Sequence, residues 1–296
     1  MSTSVIQEIT KFSPADLLQQ IDTLQQQLDD LTAEVNVLRR RDETLNFSIA
    51  RFDEELRLAA RLQQDFLPKP LPQVGNVHFH TLFRPAGYVS GDLYDVMRLD
   101  EKNIGFYMAD AVGHGMPAAL LTMFIKNALV TKQITPDGYR LLSPSETMTR
   151  LNESMIEQNL SAATFATAIY GTIDVSNLTV TFARGGHPHP MLMRADGSVH
   201  SLDCDGGLLG VFSGEPYEQK TVQLMQGDRL FVYSDGVEVA FSQDQSVDPE
   251  RWRQELLNRR EMSSEQLLID FAERLDASCG SLMPKDDLTM IIVEVK

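Results

Sequence analysis

An α+β fold, with stacked antiparallel sheets flanked by helices and a long helix ahead of them, is predicted from three features of the chain. Short apolar runs bounded by Gly and turn residues fill most of the sequence after residue 68. A nearly unbroken series of them separates an early pair of helices from a late pair. Residues 14–66 contain no Gly and a single Pro, Pro14. Four segments, SGDLYD (Ser90 to Asp95), ADAVGHG (Ala109 to Gly115), YSDGVE (Tyr233 to Glu238) and KDDLTM (Lys285 to Met290), each set an Asp at a strand end or in a tight Gly turn.

The helix comes first. Residues 1–13 read as a disordered N-terminus, and Ser13-Pro14 as an N-cap and first helical residue. Leu17, Leu24, Leu31, Leu38, Leu45 and Phe52 recur every seventh residue. Ile21, Leu28, Val35, Asp42, Ile49 and Leu56 recur with the same step, four residues later. With the first series at d and the second at a, residues 14–67 form a coiled-coil dimerisation and linker helix, and Leu at d with Ile, Val or Leu at a favours two parallel strands. The other reading is a single amphipathic helix packed on its own domain. A helix of roughly 75 Å at 1.5 Å per residue outruns any one globular core. Asp42 at an a position weakens the seam or fixes its register. Pro68, Pro70 and Pro72 end the helix at Leu67.

Beyond it, Val77 to Phe83, Ile104 to Ala109, Thr167 to Ile173, Leu178 to Ala183, Pro190 to Met193, Leu230 to Ser234 and Thr289 to Val295 read as strands. Met116 to Lys132 reads as a helix entered through a Gly turn with Pro117 near its start. Ser143-Pro144-Ser145-Glu146 is a capping box, and Asp248-Pro249 and Ser263 cap two later helices.

Composition narrows the function. The 296 residues are 43% hydrophobic, ample for one large domain of 68–296 and its extension. A formal charge of −16 disfavours nucleic-acid and anionic-membrane partners, which want basic patches. Cys204 and Cys279 make neither a disulfide framework nor a metal cluster and read as reduced thiols. No basic-then-apolar leader and no apolar run of about 20 residues is present, so the expected location is cytoplasmic.

Carboxylates at strand ends suit hard divalent cations, which prefer oxygen ligands. Asp110 follows an apolar strand and precedes Gly113-His114-Gly115. Asp235-Gly236 ends another strand, Asp286 and Asp287 precede the last, and Asp92 sits three residues before Asp95. Each alone would mark only a turn; four together point to a shared metal site and to chemistry on a phosphate.

The ordered set GD-x-x-D, D-x-x-GHG-x-x-A, GGH-P-x-P, GD-x-x-x-x-x-SDG-x-x-E and DD-x-T resembles the PPM (protein phosphatase 2C) superfamily of serine/threonine phosphatases, in its bacterial SpoIIE/RsbU branch. The resemblance covers about residues 68–296. It implies an α-β-β-α sandwich and two Mn²⁺ or Mg²⁺ ions. Asp110 would bridge the ions with the Ala111 carbonyl as a further ligand, Asp235 and Asp286 would complete one shell, and Asp92 would serve the other, partly through water. His114 is either the general acid for the leaving alkoxide or a residue that fixes the Gly turn. Asp287 is expected to support the ligands rather than bind, Asp95 to be a structural partner, and His187 and His189 to belong to a Pro-stiffened turn. The phosphate-gripping Arg of the eukaryotic-type branch has only Arg84 as a counterpart. The implied substrate is a phosphoserine or phosphothreonine protein, a STAS-type anti-anti-sigma factor in a partner-switching pathway, with an upstream regulator acting at the coiled coil of a parallel homodimer. A non-catalytic scaffold is the competing class, but such relatives lose the carboxylates, which are all here. A two-metal nuclease is disfavoured by the acidic charge.

Overall fold

The computed structural model describes residues 13–136, 138–159, 164–241, 248–279 and 286–296, with only the backbone for 275–279. The expected disordered N-terminus, apart from Ser13, together with Lys285 of the fourth motif and the Cys279 side chain, lies outside the described residues. The chain divides into two units, Met1–Leu58 and Ala59–Lys296.

Helix α1, Pro14–Asp65, runs without a break for 52 residues. Its start is a reciprocal cap: Asp16 N donates to Ser13 Oγ (3.3 Å) and Ser13 N donates to Asp16 Oδ2 (3.1 Å). In the first unit the heptad side chains are bare, with Leu24 58% and Leu31 60% exposed. Surface pairs at i,i+4 such as Arg51–Glu55 (2.9 Å) lie along the helix. The helix ends two residues before the expected Leu67. Phe66 and Leu67 tighten into i→i−3 bonds to the carbonyls of Gln63 and Gln64 as Pro68 approaches.

The second unit holds strands β1 (Val77–Arg84), β2 (Asp92–Arg98), β3 (Asn103–Ala111), β4 (Lys132–Thr135), β5 (Gly138–Leu141), β6 (Ala166–Asp174), β7 (Thr179–Gly185), β8 (Met191–Met193), β9 (Val199–Ser201), β10 (Lys220–Gln223), β11 (Arg229–Tyr233) and β12 (Leu288–Val295). Helices α2 (Met116–Ala128), α3 (Pro144–Glu157), α4 (Asp235–Phe241), α5 (Pro249–Asn258) and α6 (Ser264–Cys279) complete it. The strands form two five-stranded antiparallel sheets, ordered β1-β12-β11-β8-β9 and β10-β7-β6-β3-β2, and a β4-β5 hairpin.

Alternation along the strands divides the side chains between layers. Ile104, Phe106 and Met108 on β3 meet Leu230 and Val232 on β11 and Ile291 and Val293 on β12 between the sheets. The other face of β3, with Tyr107 and Ala109, packs under α2 and α3 through Leu121, Met148 and Leu151. Phe231, Met290 and Ile292 on the outside of the first sheet pack with Trp252 of α5 and Phe271 of α6. The result is the α-β-β-α layering expected from the sequence.

The capping signals hold. Glu146 N donates to Ser143 Oγ (3.2 Å), and Ser143 N donates to Glu146 Oε2 (2.9 Å). Arg251 N donates to Asp248 Oδ1 (3.0 Å), and Gln266 N to Ser263 Oγ (3.2 Å). The helix from Met116 stops at Ala128, not Lys132. Leu129 is already extended (φ −71°, ψ 99°), and β-branched Val130 and Thr131 lead into the hairpin around Pro136. Strands β2, β4, β5, β9 and β10 were not singled out in the sequence. All but β2 are three or four residues long, and β2 begins on the Asp that reads as a turn.

Gly171 faces Phe106 at one register position of β3–β6, and a Cβ there would lie 2.2 Å from the Phe106 ring. Gly171→Ala is therefore expected to destabilise by about 1–3 kcal/mol. Adding Phe106→Leu should recover part of that loss in guanidinium titrations; equal midpoints for Gly171→Ala and the parent chain would show that the ring is not held there.

Candidate metal centre

The inter-sheet face of the second sheet continues past its apolar rows into acids. On β3 the even-numbered residues Ile104, Phe106 and Met108 point between the sheets, and Asp110 is next in that series. Asp92 on β2 is its direct register partner on one side, and Thr167 on β6 on the other. Opposed residues of an antiparallel pair have Cβ atoms about 4.5–5.5 Å apart, where like charges repel. Asp95 is odd-numbered and faces the helices instead, where Lys126 Nζ donates to its Oδ2 (2.5 Å) and to the Phe66 carbonyl (2.7 Å). The expectation that Asp95 is structural agrees with that.

The first sheet supplies the other half. Thr289 on β12 donates from Oγ1 to Asp92 Oδ2 (2.6 Å), joining the two sheets. Ser234, which follows β11, is bonded twice to Thr289: Ser234 N donates to the Thr289 carbonyl (3.0 Å), and Thr289 N to the side-chain Oγ of Ser234 (3.0 Å). Asp235 comes next. Gly236 must be Gly, because a Cβ would lie 2.1 Å from the Asp287 carbonyl oxygen. This close approach brings Asp235-Gly236 against Asp286-Asp287.

Asp287 works as a clamp. Its carboxylate accepts from Ala86 N and Gly91 N, both at 2.6 Å, and so fastens the β1–β2 loop just before Asp92. Gly91 in turn accepts from Ala111 N (2.9 Å), and a Cβ on Gly91 would lie 3.2 Å from the Ala111 carbonyl oxygen. Gln63, from the last turn of α1, holds the same loop twice. Its Nε2 donates to the Ser90 carbonyl (2.7 Å), and its Oε1 accepts from Ser90 N (2.8 Å). Ser90 Oγ accepts from Asp92 N (3.0 Å).

The electrostatics are those of crowded acids. Burial, then Asp110, drives Asp92 well above the usual carboxylate range, against the hydrogen bonds of Thr289 and Ser234. Burial pushes Asp110 up to about 8, reinforced by Asp235, Asp286 and Asp287. Asp235 and Asp286 are raised too, chiefly by burial. His114, exposed in the turn between Gly113 (φ 91°) and Gly115 (φ 73°), acts on the charge of Asp286. Among the described residues no three His, Cys, Asp or Glu side chains already close around one point. The residues nonetheless suit hard divalent cations in kind: they are oxygen donors, carboxylates that raise one another's pKa and a nearby backbone carbonyl, with mutual repulsion that a cation would relieve.

The family model of Stage II sporulation protein E (SpoIIE) matches residues 100–296. The chain belongs to the SpoIIE family. Phosphoserine phosphatase RsbU of Bacillus subtilis (strain 168) is 26% identical over 294 residues, spanning 99% of this chain and 84% of RsbU. Among solved structures, the SiaA-PP2C domain of Pseudomonas aeruginosa shares the fold with a TM-score of 0.71 at 20% identity, covering 84% of this chain and all but 1% of its own, since 99% is matched. RsbX, solved in complex with magnesium, aligns over 74% of this chain and 94% of its own, with a TM-score of 0.53 at 18% identity. The α-β-β-α layers are thus those of the PP2C-like fold.

The structure brings Asp92, Asp110, Asp235 and Asp286 of this SpoIIE-family chain to one end of the sandwich, with Ala111 beside them. Sequence reasoning assigned no role to Gln63, Ser90, Thr167, Ser234 and Thr289, neutral residues whose contacts come from tertiary pairing, although Ser90, Ser234 and Thr289 stand inside the acidic motifs. His187 was read only as part of a stiff turn, yet it is fully buried with Nδ1 2.9 Å from Thr167 Oγ1. The signal that could have found some of them is position, since Ser234 adjoins Asp235 and Thr289 follows Asp286 by three.

Because Asp110 titrates higher folded than unfolded, the folded protein keeps a proton that the unfolded chain releases above about pH 4. That contribution is fully present below the ordinary carboxylate range and is lost as pH rises through about 8. Metal-free protein should therefore melt at lower temperature at pH 8 than at pH 5, and Asp110→Asn should flatten that slope. Thermal melts in EDTA across this range decide it; parallel slopes for the two proteins would contradict the assignment.

Proposed function

We propose that this protein is a Mn²⁺- or Mg²⁺-dependent protein serine/threonine phosphatase that hydrolyses a phosphoserine or phosphothreonine on a partner protein. The observation that carries this reading is the mutual electrostatic repulsion of four acids from both sheets, Asp110 acting on Asp92 and being acted on by Asp235 and Asp286. Divalent cations bound there would supply an activated water and neutralisation of the phosphoryl oxygens. Asp92, Asp110, Asp235 and Asp286, with the Ala111 carbonyl, are the residues that would hold them. Asp287 binds no metal in this scheme; both its oxygens are taken by backbone N–H groups, and it sets the position of Asp92. His114 is exposed beside Asp286, a place from which an imidazole can protonate the departing serine or threonine oxygen.

RsbU is named a phosphoserine phosphatase, which supports phosphoserine as the preferred group. A STAS-type anti-anti-sigma factor in a partner-switching pathway is the proposed substrate. The acidic chain leaves recognition to docking of the whole partner protein. Release of phosphate from para-nitrophenyl phosphate and from a phosphoserine protein should require Mn²⁺ or Mg²⁺. Asp110→Asn and Asp235→Asn should each lower turnover by about 100-fold or more. Turnover that persists in EDTA, or survives both substitutions, would sink the mechanism.

Residues 14–67 are proposed to pair with a second copy as a parallel coiled coil, followed by a phosphatase domain of 68–296, with an upstream regulator acting on the helix. Support comes from the exposed d-series Leu24, Leu31, Leu38 and Leu45 on an unbroken helix. No helix among the described residues is long and apolar enough to cross a membrane. The dimer predicts twice the chain mass in sedimentation, reduced to one chain mass in Leu24→Lys/Leu31→Lys. A monomeric parent protein at micromolar concentration would refute it.

A further inference from the structure

His187 is fully buried in the Gly185–Pro190 crossing, where the chain leaves β7 in the second sheet and enters β8 in the first. A buried imidazole in a mere turn would be a costly choice, since its two ring nitrogens both need partners. Nδ1 lies 2.9 Å from Thr167 Oγ1. Thr167 is the register partner of Asp110. Nε2 is sealed from water with no hydrogen-bond partner among the described residues, and the backbone of Tyr233 lies near the ring. Tyr233 ends β11, two residues before Asp235. The ring therefore sits between the strand position opposite one proposed ligand and the strand end that carries another.

The backbone around it is fixed independently. Gly186 (φ 67°) donates from N to the Gly206 carbonyl (2.9 Å), and Ala168 bridges to Gly186 in parallel. Arg184 donates from Nη1 to the His187 carbonyl and from Nε to the Cys204 carbonyl. The crossing would thus keep its path without the imidazole, so the side chain has a use other than holding the turn. Burial and the nearby Arg184 guanidinium push the ring's pKa down to about 3, which leaves it neutral, one nitrogen a donor and the other an acceptor.

We infer that His187 is a positioning residue of the metal centre: through its hydrogen bond to Thr167, the register partner of Asp110, it fixes the Asp110 position of the second sheet against the crossing into the first. This deepens the phosphatase reading and rests on it, because it takes Asp110 as a ligand of the proposed ions. Metal ligands held in place by a further layer of hydrogen bonds lose about 10–100-fold in affinity when that layer is removed.

The test is Mn²⁺ binding to the full chain, followed by calorimetry, with kcat and KM for a phosphoserine protein measured at saturating metal. Thr167→Val keeps the shape and removes the hydroxyl. It should weaken Mn²⁺ binding by about tenfold, with only a modest drop in the EDTA melting temperature from leaving Nδ1 of the buried ring unpaired. His187→Ala should weaken it at least as much, and His187→Asn, whose amide can stand near the Nδ1 position, should restore part of the loss. At saturating Mn²⁺ the remaining defect should fall on kcat with KM little changed, since no substrate contact is removed. If His187→Ala does not fold, Thr167→Val decides alone. Parent-like Mn²⁺ affinity in Thr167→Val overturns the positioning role while leaving the phosphatase reading intact. A parent chain that binds no Mn²⁺, or an Asp235→Asn variant that binds it normally, overturns both.

Discussion

Asp92 and Asp110 face each other across a single register position of the β2–β3 ladder, and this placement of two like charges constrains the rest of the domain. At such separation in a buried setting both cannot ionise freely. The fold meets the repulsion with fixed donors. Thr289 reaches over from the opposite sheet to one oxygen of Asp92, while Asp287 holds the preceding loop by two backbone N–H groups. These contacts join segments nearly 200 residues apart in the chain, so the centre exists only when the two sheets are stacked in the correct offset. Stability of the sandwich and geometry of the acids are one problem. Thr289 is at once a core-facing strand residue and the partner of a proposed metal ligand.

The period of a strand accounts for which acids take part. From Ile104 to Asp110 every second residue of β3 points between the sheets, so the rule that buries Phe106 and Met108 also delivers Asp110 to the interior end. On β2 the same rule sends Asp92 inward and Asp95 to the helix face, where Lys126 neutralises it. Gly236 answers a different demand, close approach of two backbones, without which Asp235 and Asp286 would stand apart. In this domain each acidic motif combines an alternation that aims the side chain with a small residue or turn that lets neighbouring chain come near.

Much of this was legible in the sequence. The apolar runs marked the long strands because those are buried on both faces, and the heptads marked α1 because their spacing has no other use. Four of the acids stood out, since a carboxylate beside an apolar run is unusual. Short edge strands escaped: β9 and β10 have too few residues to show a period, and β2 opens on an Asp-bearing turn signature. Thr167 escaped for another reason. A hydroxyl in a strand carries no local mark of function, and only sheet register shows that it lies opposite an acid. Ser234 and Thr289 stood in the acidic motifs, but their bonds to each other and to Asp92 show only in the fold.

Gln63 shows how far such neutral residues matter. A glutamine near the end of a helix, followed by a Pro-rich turn, reads as solvated surface, yet its amide is buried and makes both of its bonds to the backbone of Ser90. An amide satisfied twice by one peptide resists sliding in either direction, because any shift leaves a buried donor or acceptor unpaired. Ser90 is two residues from Asp92 and also accepts from its N–H. The last turn of α1 is therefore joined to the first acid of the centre through one residue and three hydrogen bonds. With Asp92 set from one side by Gln63 and Ser90, and from the other by Asp287 and Thr289, its position is determined jointly by the helix end and the opposite sheet. A carboxylate held this way has little freedom to retreat from its neighbour. The repulsion therefore persists until protonation or a cation relieves it.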